Sequence, residues 1–357
     1  MPSALVTGAT GLVGSHIVER LLSDGWRVRA LVRRAAEAAP GTAPRTWNGT
    51  EWLRDRGAQL SSGDILDLPT FADAARGCDV IFHTAAAVTP SASRIHPYDA
   101  FRIPNVDGTR NAIAAAERAG ARLVQLSSAA VYGSEARYAT PEDGGVLDED
   151  TPLRPLPDGA YYARSKRESE ALVFAAHAGG TVWATAVRPV VIYGERDRQF
   201  VPRIGRLLRR GIAVVVNGGH TTLAIVHAAG VADGAVRAAL NDRAGGRAYN
   251  LTNDFDVTLR DFYRLAAQGL GESARIVSVP SSVARAAFAA AKAVLRLVGG
   301  SGMSIVTTSS LGFVTRNNPF TSDRARRELG WSPSVPPDVG IPDAFRWWRA
   351  LTGSDRK

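Results

Sequence analysis

An apolar run, Ala4-Leu5-Val6-Thr7, passes directly into Gly8-Ala9-Thr10-Gly11-Leu12-Val13-Gly14, and Ser15 to Leu22 then reads as an amphipathic helix. Strand, glycine-rich turn and helix in this order constrain the chain more than any other feature. A turn with few side chains lets the backbone approach a pyrophosphate, whose charge meets the unsatisfied N–H groups at the helix start. Gly8 is expected to permit the tight turn, Gly11 the close approach, and Gly14 the packing of helix on strand. Thr10, Leu12 and Val13 complete the same cradle. The spacing is G-x-x-G-x-x-G rather than G-x-G-x-x-G, so the strand-turn-helix context carries the reading more than the glycines do.

Further strand-like runs lie at Arg27 to Val32, Val80 to His83, Arg122 to Ser127 and Val182 to Arg188. Helical stretches at Gly14 to Ser23, Leu68 to Arg76, Gly108 to Ala119 and Tyr162 to His177 alternate with them. Nearly continuous apolar strands alternating with helices predict a parallel sheet covered on both faces, an α/β fold. The segment Pro40 to Gly57 interrupts the rhythm and reads as a surface excursion. Tyr138 to Gly159, rich in Pro, Gly, Asp and Glu, reads as a rim beside the helix that follows.

After Pro189 the alternation weakens. Arg203 to Arg210 reads as a helix, Ile212 to Val216 as a strand, Gly218-Gly219 as a turn, and Ala224 to Leu240 as a returning strand and helix. Ala248 to Leu251 is a short strand, helices and loops follow from Thr258, and Asp323 to Leu329 and Ile341 to Leu351 are helical. The expected organisation is a cofactor domain over 1–188, a substrate-lobe insertion over 189–223, and a return to the first domain over 224–255. A mainly substrate-binding lobe follows over 256–351, with a frayed tail over 352–357.

Composition excludes several classes. The single cysteine, Cys78, cannot build a disulfide framework and reads as a packing residue, which fits a cytoplasmic setting. Met1-Pro2-Ser3 leads straight into the first strand, without a basic and apolar leader. The formal charge is +9, but the arginines are scattered, without aromatic interleaving or a recognition helix, so nucleic-acid binding is not expected. Ala284 to Val298 is interrupted by Arg285, Lys292 and Arg296; packing within the small lobe is expected, with a membrane surface as the alternative. The histidines are dispersed, and His83 and His96 form no ligand cluster, so no metal is expected.

The chemical residues come about 150 positions after the turn, in Tyr162-Ala163-Arg164-Ser165-Lys166. Residues four apart share a helix face, so Tyr162 and Lys166 converge on one volume, whereas Tyr161 is turned away. A lysine cation beside a phenol is expected to lower its pKa, so that the tyrosine exchanges a proton with an alcohol or carbonyl. Ser128 follows the apolar strand Leu123 to Leu126, where doubly wound sheets place their clefts, and is expected to hold the substrate oxygen. Ser127 is secondary.

With these residues in place the chain resembles the extended short-chain dehydrogenase/reductases, the NAD-dependent epimerase/dehydratase superfamily. The resemblance covers most of the sequence. It includes the glycine-rich turn, Gly63-Asp64-Ile65, His83-Thr84-Ala85-Ala86, Asn105 with Gly108-Thr109, Ser127 to Gly133, Tyr162 to Lys166, Arg188-Pro189 and Ile192-Tyr193-Gly194. It implies a Rossmann-type doubly wound sheet with a smaller, mostly C-terminal lobe, a dimeric assembly, and substrate bound between the lobes. It further implies that Asp64 and Ile65 contact the adenine, and that the segment beginning at Ala85 lines the dinucleotide. Thr84, Ala86, Asn105, Ser127 and Pro189 are counted with the cofactor-binding positions, and Ser128, Tyr162 and Lys166 are implied to be catalytic.

Within the family, Ala129 and Ala130 stand where the dehydratases carry an Asp-Glu pair, and methyl groups cannot exchange protons. Leu223 stands where sugar-nucleotide epimerases place an arginine, and it offers a diphosphate no charge-assisted bond. Arg188 to Gly194, with Phe320 to Ala325 and Glu328 to Trp331, looks more like the 3β-hydroxysteroid dehydrogenase and dihydroflavonol reductase branches. The strand Arg27 to Val32 ends on Arg33-Arg34 rather than a carboxylate for the ribose 2′-OH, which favours NADP(H), with NAD(H) as the alternative. The expected reaction interconverts an apolar ketone and a secondary alcohol, on a steroid-like, flavonoid-like or β-keto acid substrate. The alternatives are a nucleotide-sugar epimerase and a cofactor-binding protein without turnover.

Overall fold

The computed structural model describes residues 1–33, 47–89, 96–133, 146–253, 255–284, 286–287 and 317–353. Arg34, the first part of the expected rim at Tyr138 to Gly159, most of Ala284 to Val298, the apolar pair Phe313-Val314, which from sequence suits an apolar pocket, and the last four residues lie outside them.

The chain begins with β1 (Ser3–Thr7), α1 (Leu12–Ser23) and β2 (Arg27–Val32), followed by α2 (Gly49–Asp55), β3 (Gln59–Ser62), α3 (Leu68–Ala75) and β4 (Val80–His83). Next come α4 (Asp99–Arg102), a π-helical turn (Ile103–Asp107), α5 (Gly108–Ala119) and β5 (Arg122–Leu126). A 3-10 turn (Ala129–Tyr132), α6 (Tyr161–Ala178) and β6 (Ala184–Pro189) complete this half. These strands and β10 (Ala248–Leu251) form a seven-stranded parallel sheet in the order β10-β6-β5-β4-β1-β2-β3. The order reverses between β1 and β4, where Thr7 stands opposite His83. Outside the carboxyl ends of two such strands an open α/β sheet leaves a crevice.

The strands bury alternate side chains on opposite faces. Leu5, Ile81 and Leu123 meet the helical residues Phe71, Ala112, Ala116 and Val173 on one side. Ala4, Val6, Phe82 and Val124 meet Ile17, Leu21, Val231 and Val236 on the other. Cys78 is buried in the first of these layers.

Beyond Pro189 the chain forms β7 (Val191–Tyr193), α7 (Phe200–Leu208), β8 (Ile212–Val216), β9 (Ile225–His227) and α8 (Ala228–Leu240). After β10 come α9 (Leu259–Leu270), β11 (Arg275–Val279), α10 (Asp323–Leu329) and α11 (Pro337–Thr352). Two small parallel pairs, β7 with β9 and β8 with β11, accompany a separate core built on Val201, Phe262, Ile341, Phe345 and Trp348. Helix α9 starts where Thr258 accepts from the Asp261 amide at 3.1 Å and donates to the Asp261 carboxylate at 2.6 Å, a reciprocal cap.

Two expectations change. The excursion Pro40 to Gly57 contains α2, whose first residue sits against the glycine-rich turn: a Cβ at Gly49 would stand 2.8 Å from Thr10 Cβ. The stretch after Thr258 contains a strand, β11, besides helices and loops.

Candidate active site

A cavity of about 1350 Å³ opens at the carboxyl ends of β1, β4, β5 and β6. Four strand ends supply its floor: Gly8, Thr84, Ser127 and Pro189 follow or close them.

At the β1 end the backbone itself shapes the wall. Gly8 has φ +65°, and a Cβ there would lie 2.8 Å from both the Ala85 nitrogen and Thr84 Oγ1. A Cβ at Gly14 would collide with the Gly8 carbonyl group and stand 2.9 Å from Ala9 Cα. Gly11 precedes α1 without a capping side chain, and the first turn holds no acidic residue. The N–H groups of that turn have no acceptor within the helix, and the helix dipole favours an anion there. A cradle free of side chains, ending on unpaired N–H groups, fits the pyrophosphate of a dinucleotide. Gly8, Gly11, Leu12, Val13 and Gly14 all line the cavity.

The β4 end is tied to this cradle. Thr84 Oγ1 donates to the Thr7 carbonyl at 2.6 Å, and the Ala85 amide donates to Thr7 Oγ1 at 3.2 Å. Thr7 Oγ1 also lies 2.9 Å from His83 Nδ1, and burial holds that imidazole at about 3, far below its usual range and neutral. Asn105, in the π-helical turn, joins this loop to α6. Its amide donates to the Ala87 carbonyl at 3.0 Å and to Ser165 Oγ at 2.9 Å, and its oxygen accepts from the Ala87 amide at 2.7 Å. The wider turn brings Asn105 to both partners, a use of π-helical geometry common at functional sites.

Ser128 begins the 3-10 turn, and its Oγ accepts from the Ala130 amide at 3.1 Å. That contact leaves its O–H free to donate, and it is hydrogen-bonded to Tyr162. Burial pushes the Tyr162 phenol above its ordinary value, and the Ser128 bond offsets part of that rise. The expectation that Lys166 lowers the phenol is not met in this structure. Lys166 Nζ stands 6.0 Å from the Tyr162 ring centre and donates to the Leu126 carbonyl at 2.7 Å, so loss of water outweighs the cation. Lys166 is 3% exposed, and burial brings its amine down to about 8, with Glu170 opposing the shift.

Helix α6 is fixed from below. Glu170 receives a two-pronged contact from Arg188, Nη2 to Oε1 at 2.5 Å and Nε to Oε2 at 3.0 Å. Arg188 Nη1 also donates to the Tyr132 hydroxyl, which donates to Asn250 Oδ1, each at 2.9 Å. These buried contacts join α6, β6, β10 and the 3-10 turn, and full pairing is what makes such charges tolerable. Arg188 stood out in the sequence, whereas Glu170 did not. Its place one helical turn past Lys166 was the available signal.

Ser127, Ser128, Tyr162, Lys166, Thr84, Ala86 and Pro189 therefore share one cavity with the glycine-rich turn. Thr10, Asp64, Ile65, Ala85, Asn105 and Arg33 stand outside its wall. Asp64 accepts from the Leu66 amide at 2.9 Å, Ile65 packs where a Cβ on Gly108 would intrude, and Arg33 is exposed at the end of β2. Apolar side chains also line the cavity, among them Val88, Phe101, Val146, Ile192, Phe200 and Phe320, and Phe101 stands 6.2 Å from the Tyr162 ring, centre to centre. Among the described residues no group of His, Cys, Asp and Glu could hold a metal, and no helix is long and apolar enough to cross a membrane.

Comparison with known proteins agrees with this geometry. Residues 4–252 match the NAD dependent epimerase/dehydratase family. The chain is 32% identical over 345 residues to a 4-hydroxy-2-methyl-3-oxo-4-farnesyl-3,4-dihydroquinoline-1-oxide ketoreductase of Stigmatella aurantiaca, covering 96% of this chain and 95% of the relative. It is 28% identical to the 3beta-hydroxysteroid-dehydrogenase/decarboxylase isoform 2 of Arabidopsis thaliana, spanning 99% of this chain but 63% of the relative. The crystal structure of gox2253 superposes with a TM-score of 0.72 at 28% identity, covering 98% of each chain. The chain is a member of the NAD-dependent epimerase/dehydratase family, an enzyme on the dehydrogenase and reductase side of the extended short-chain dehydrogenase/reductases.

Proposed function

We propose that the enzyme is an NADP(H)-dependent ketoreductase that interconverts an apolar ketone and its secondary alcohol. One observation carries the reading: the hydrogen-bonded Tyr162 and Ser128 pair opens onto a cavity lined by several aliphatic and aromatic side chains, Phe101, Ile192 and Phe200 among them. Such a site rewards ligands for apolar area and offers a few polar groups to fix orientation. The name of the Stigmatella relative includes an oxo group and a farnesyl chain, which agrees with a ketone of this character.

When bound, the dinucleotide supplies or accepts the hydride. The protein's own groups do the rest. Burial keeps the Tyr162 phenol protonated at neutral pH, so in the reductive direction it donates its proton to the nascent alkoxide oxygen. Ser128 donates to the same oxygen and positions it. The Lys166 ammonium, cationic below about pH 8, then stabilises the tyrosinate that remains. Gly8, Gly11 and Gly14 hold the pyrophosphate. Arg33, exposed and without a carboxylate neighbour in sequence at the end of β2, favours a 2′-phosphate; Arg34 lies outside the described residues.

Ala129 and Ala130 line the cavity without proton-exchanging groups, and Leu223 is buried in the second core, which supports reduction over dehydration or sugar epimerisation. The experiment follows NADPH and NADH oxidation against β-keto acids, steroid ketones, flavonoid ketones and nucleotide sugars. Turnover on the apolar ketones with NADPH is expected. Tyr162→Phe is expected to reduce kcat by about 10²- to 10⁴-fold with cofactor affinity nearly unchanged. Turnover confined to nucleotide sugars, or undiminished in the variant, would refute the assignment.

A further inference from the structure

Four charged residues follow β7 in succession, Glu195-Arg196-Asp197-Arg198, and three of them reach toward α1 or the turn before it. Glu195 Oε2 lies 3.6 Å from His16 Nε2. Arg196 Nη2 donates to Glu19 Oε2 at 2.7 Å, and its guanidinium lies 4.6 Å over the Trp52 ring. Arg196 has φ 71°, a left-handed conformation that non-glycine residues rarely adopt and that costs energy unless its surroundings enforce it. Asp197 accepts from the amides of Gln199, Phe200 and Val201 at 2.7, 3.1 and 2.9 Å and so starts α7. The segment is thus fixed at both ends of Arg198.

Arg198 itself is exposed, lines the cavity, and has no acidic partner among the described residues. Its Nη2 donates to the Thr10 carbonyl at 3.1 Å, which places the guanidinium on the glycine-rich turn. Five N–H donors sit on that planar group, so the Thr10 contact leaves most of them unused. The first turn of α1 contributes N–H groups but no cation, while a pyrophosphate brings two negative charges.

We infer that Arg198 is a pyrophosphate ligand, reaching from the substrate side of the cavity to the dinucleotide held at the start of α1. The inference rests on the family's dinucleotide occupying this cradle.

Calorimetric titration of NADH and NADPH into the wild type, Arg198→Gln and Arg198→Lys tests this, with thermal melts to verify folding. Loss of a charge-assisted contact is expected to weaken both dinucleotides equally, by about tenfold to a hundredfold in Arg198→Gln, with Arg198→Lys intermediate. The glutamine variant is also expected to show a shallower salt dependence of affinity. Unchanged affinity in Arg198→Gln overturns the inference. A loss confined to NADPH overturns it as well, because it assigns the arginine to the 2′-phosphate. A wild-type chain that binds neither dinucleotide refutes the cofactor cradle itself, a result distinguishable from either.

Discussion

Along the cavity, the end beside β1 is shaped by backbone atoms and the end beside β7 by side chains. At the first, a single methyl group on Gly8 or Gly14 would meet main-chain atoms of the loop after β4 or of the glycine-rich turn itself. At the second, the lining is made by side chains, Ile192 and Phe200 among them. Main chain tied to the ends of two neighbouring sheet strands gives way less readily than side chains, which change rotamer or size at modest cost. One end is therefore committed to a single ligand geometry, and the other is free to vary in which substrate it accepts.

The sharpest way to break this contrast is Gly14→Ala. The added methyl would collide with the Gly8 carbonyl, so dinucleotide affinity should fall at least roughly a hundredfold and the melting temperature should drop, overpacking alone costing about 1–3 kcal/mol. Calorimetry and a thermal melt read both. Near-normal binding would mean that the turn is softer than its contacts indicate.

Lys166 gives an intermediate effect from the region between the two ends. Burial holds its amine at about 8 in the folded chain against an ordinary 10.5. Between those values the unfolded chain keeps a proton that the folded chain has released, so stability from this group rises with pH across the window. Below about pH 8 both states are charged and the full burial cost, roughly 3 kcal/mol, is present. In the cofactor-free protein, the melting temperature of the wild type relative to Lys166→Met should therefore climb from pH 8 to 10.5. A flat difference would show the amine to be hydrated.

The smallest change is expected at the apolar end. Ile192→Ala removes part of one wall and should raise KM for an apolar ketone by roughly five- to tenfold, leaving kcat and dinucleotide affinity within about twofold. Steady-state kinetics with one ketone at saturating NADPH measure it. A matching loss of dinucleotide affinity would erase the distinction between the two ends.

The same contrast explains what could be read from the chain without a structure. Backbone-determined features leave compositional marks: the glycines of the turn, the apolar strands around it, and β10, whose bounds Ala248–Leu251 are the ones expected. Helix α10, Asp323–Leu329, likewise matches its expected span. The strand β3 escaped because Gln59–Ser62 is a partly polar edge with no alternating signal, and β11 because its meaning lies in pairing with β8, distant in sequence. Helix α2 was hidden in a stretch of Gly, Pro and Trp, although Asn48 caps it by accepting from the Glu51 amide.

At the site, spacing placed Tyr162 and Lys166 on one face, which the structure agrees with, but it carried no information about water. The direction of the phenol's shift is decided by burial and by the 6.0 Å gap to the lysine, neither of which a one-dimensional pattern records. Arg198 was equally invisible, one arginine among many until the fold laid it against Thr10.

Tyr162, Lys166 and Glu170 occupy successive turns of α6, and Arg188 grips the last of them from the sheet. Tyr162 and Lys166 thus ride on one rail tied to the central sheet at Arg188 and at the Leu126 carbonyl. The distance between the two side chains is therefore set by helix and sheet, independently of what lines the rest of the cavity.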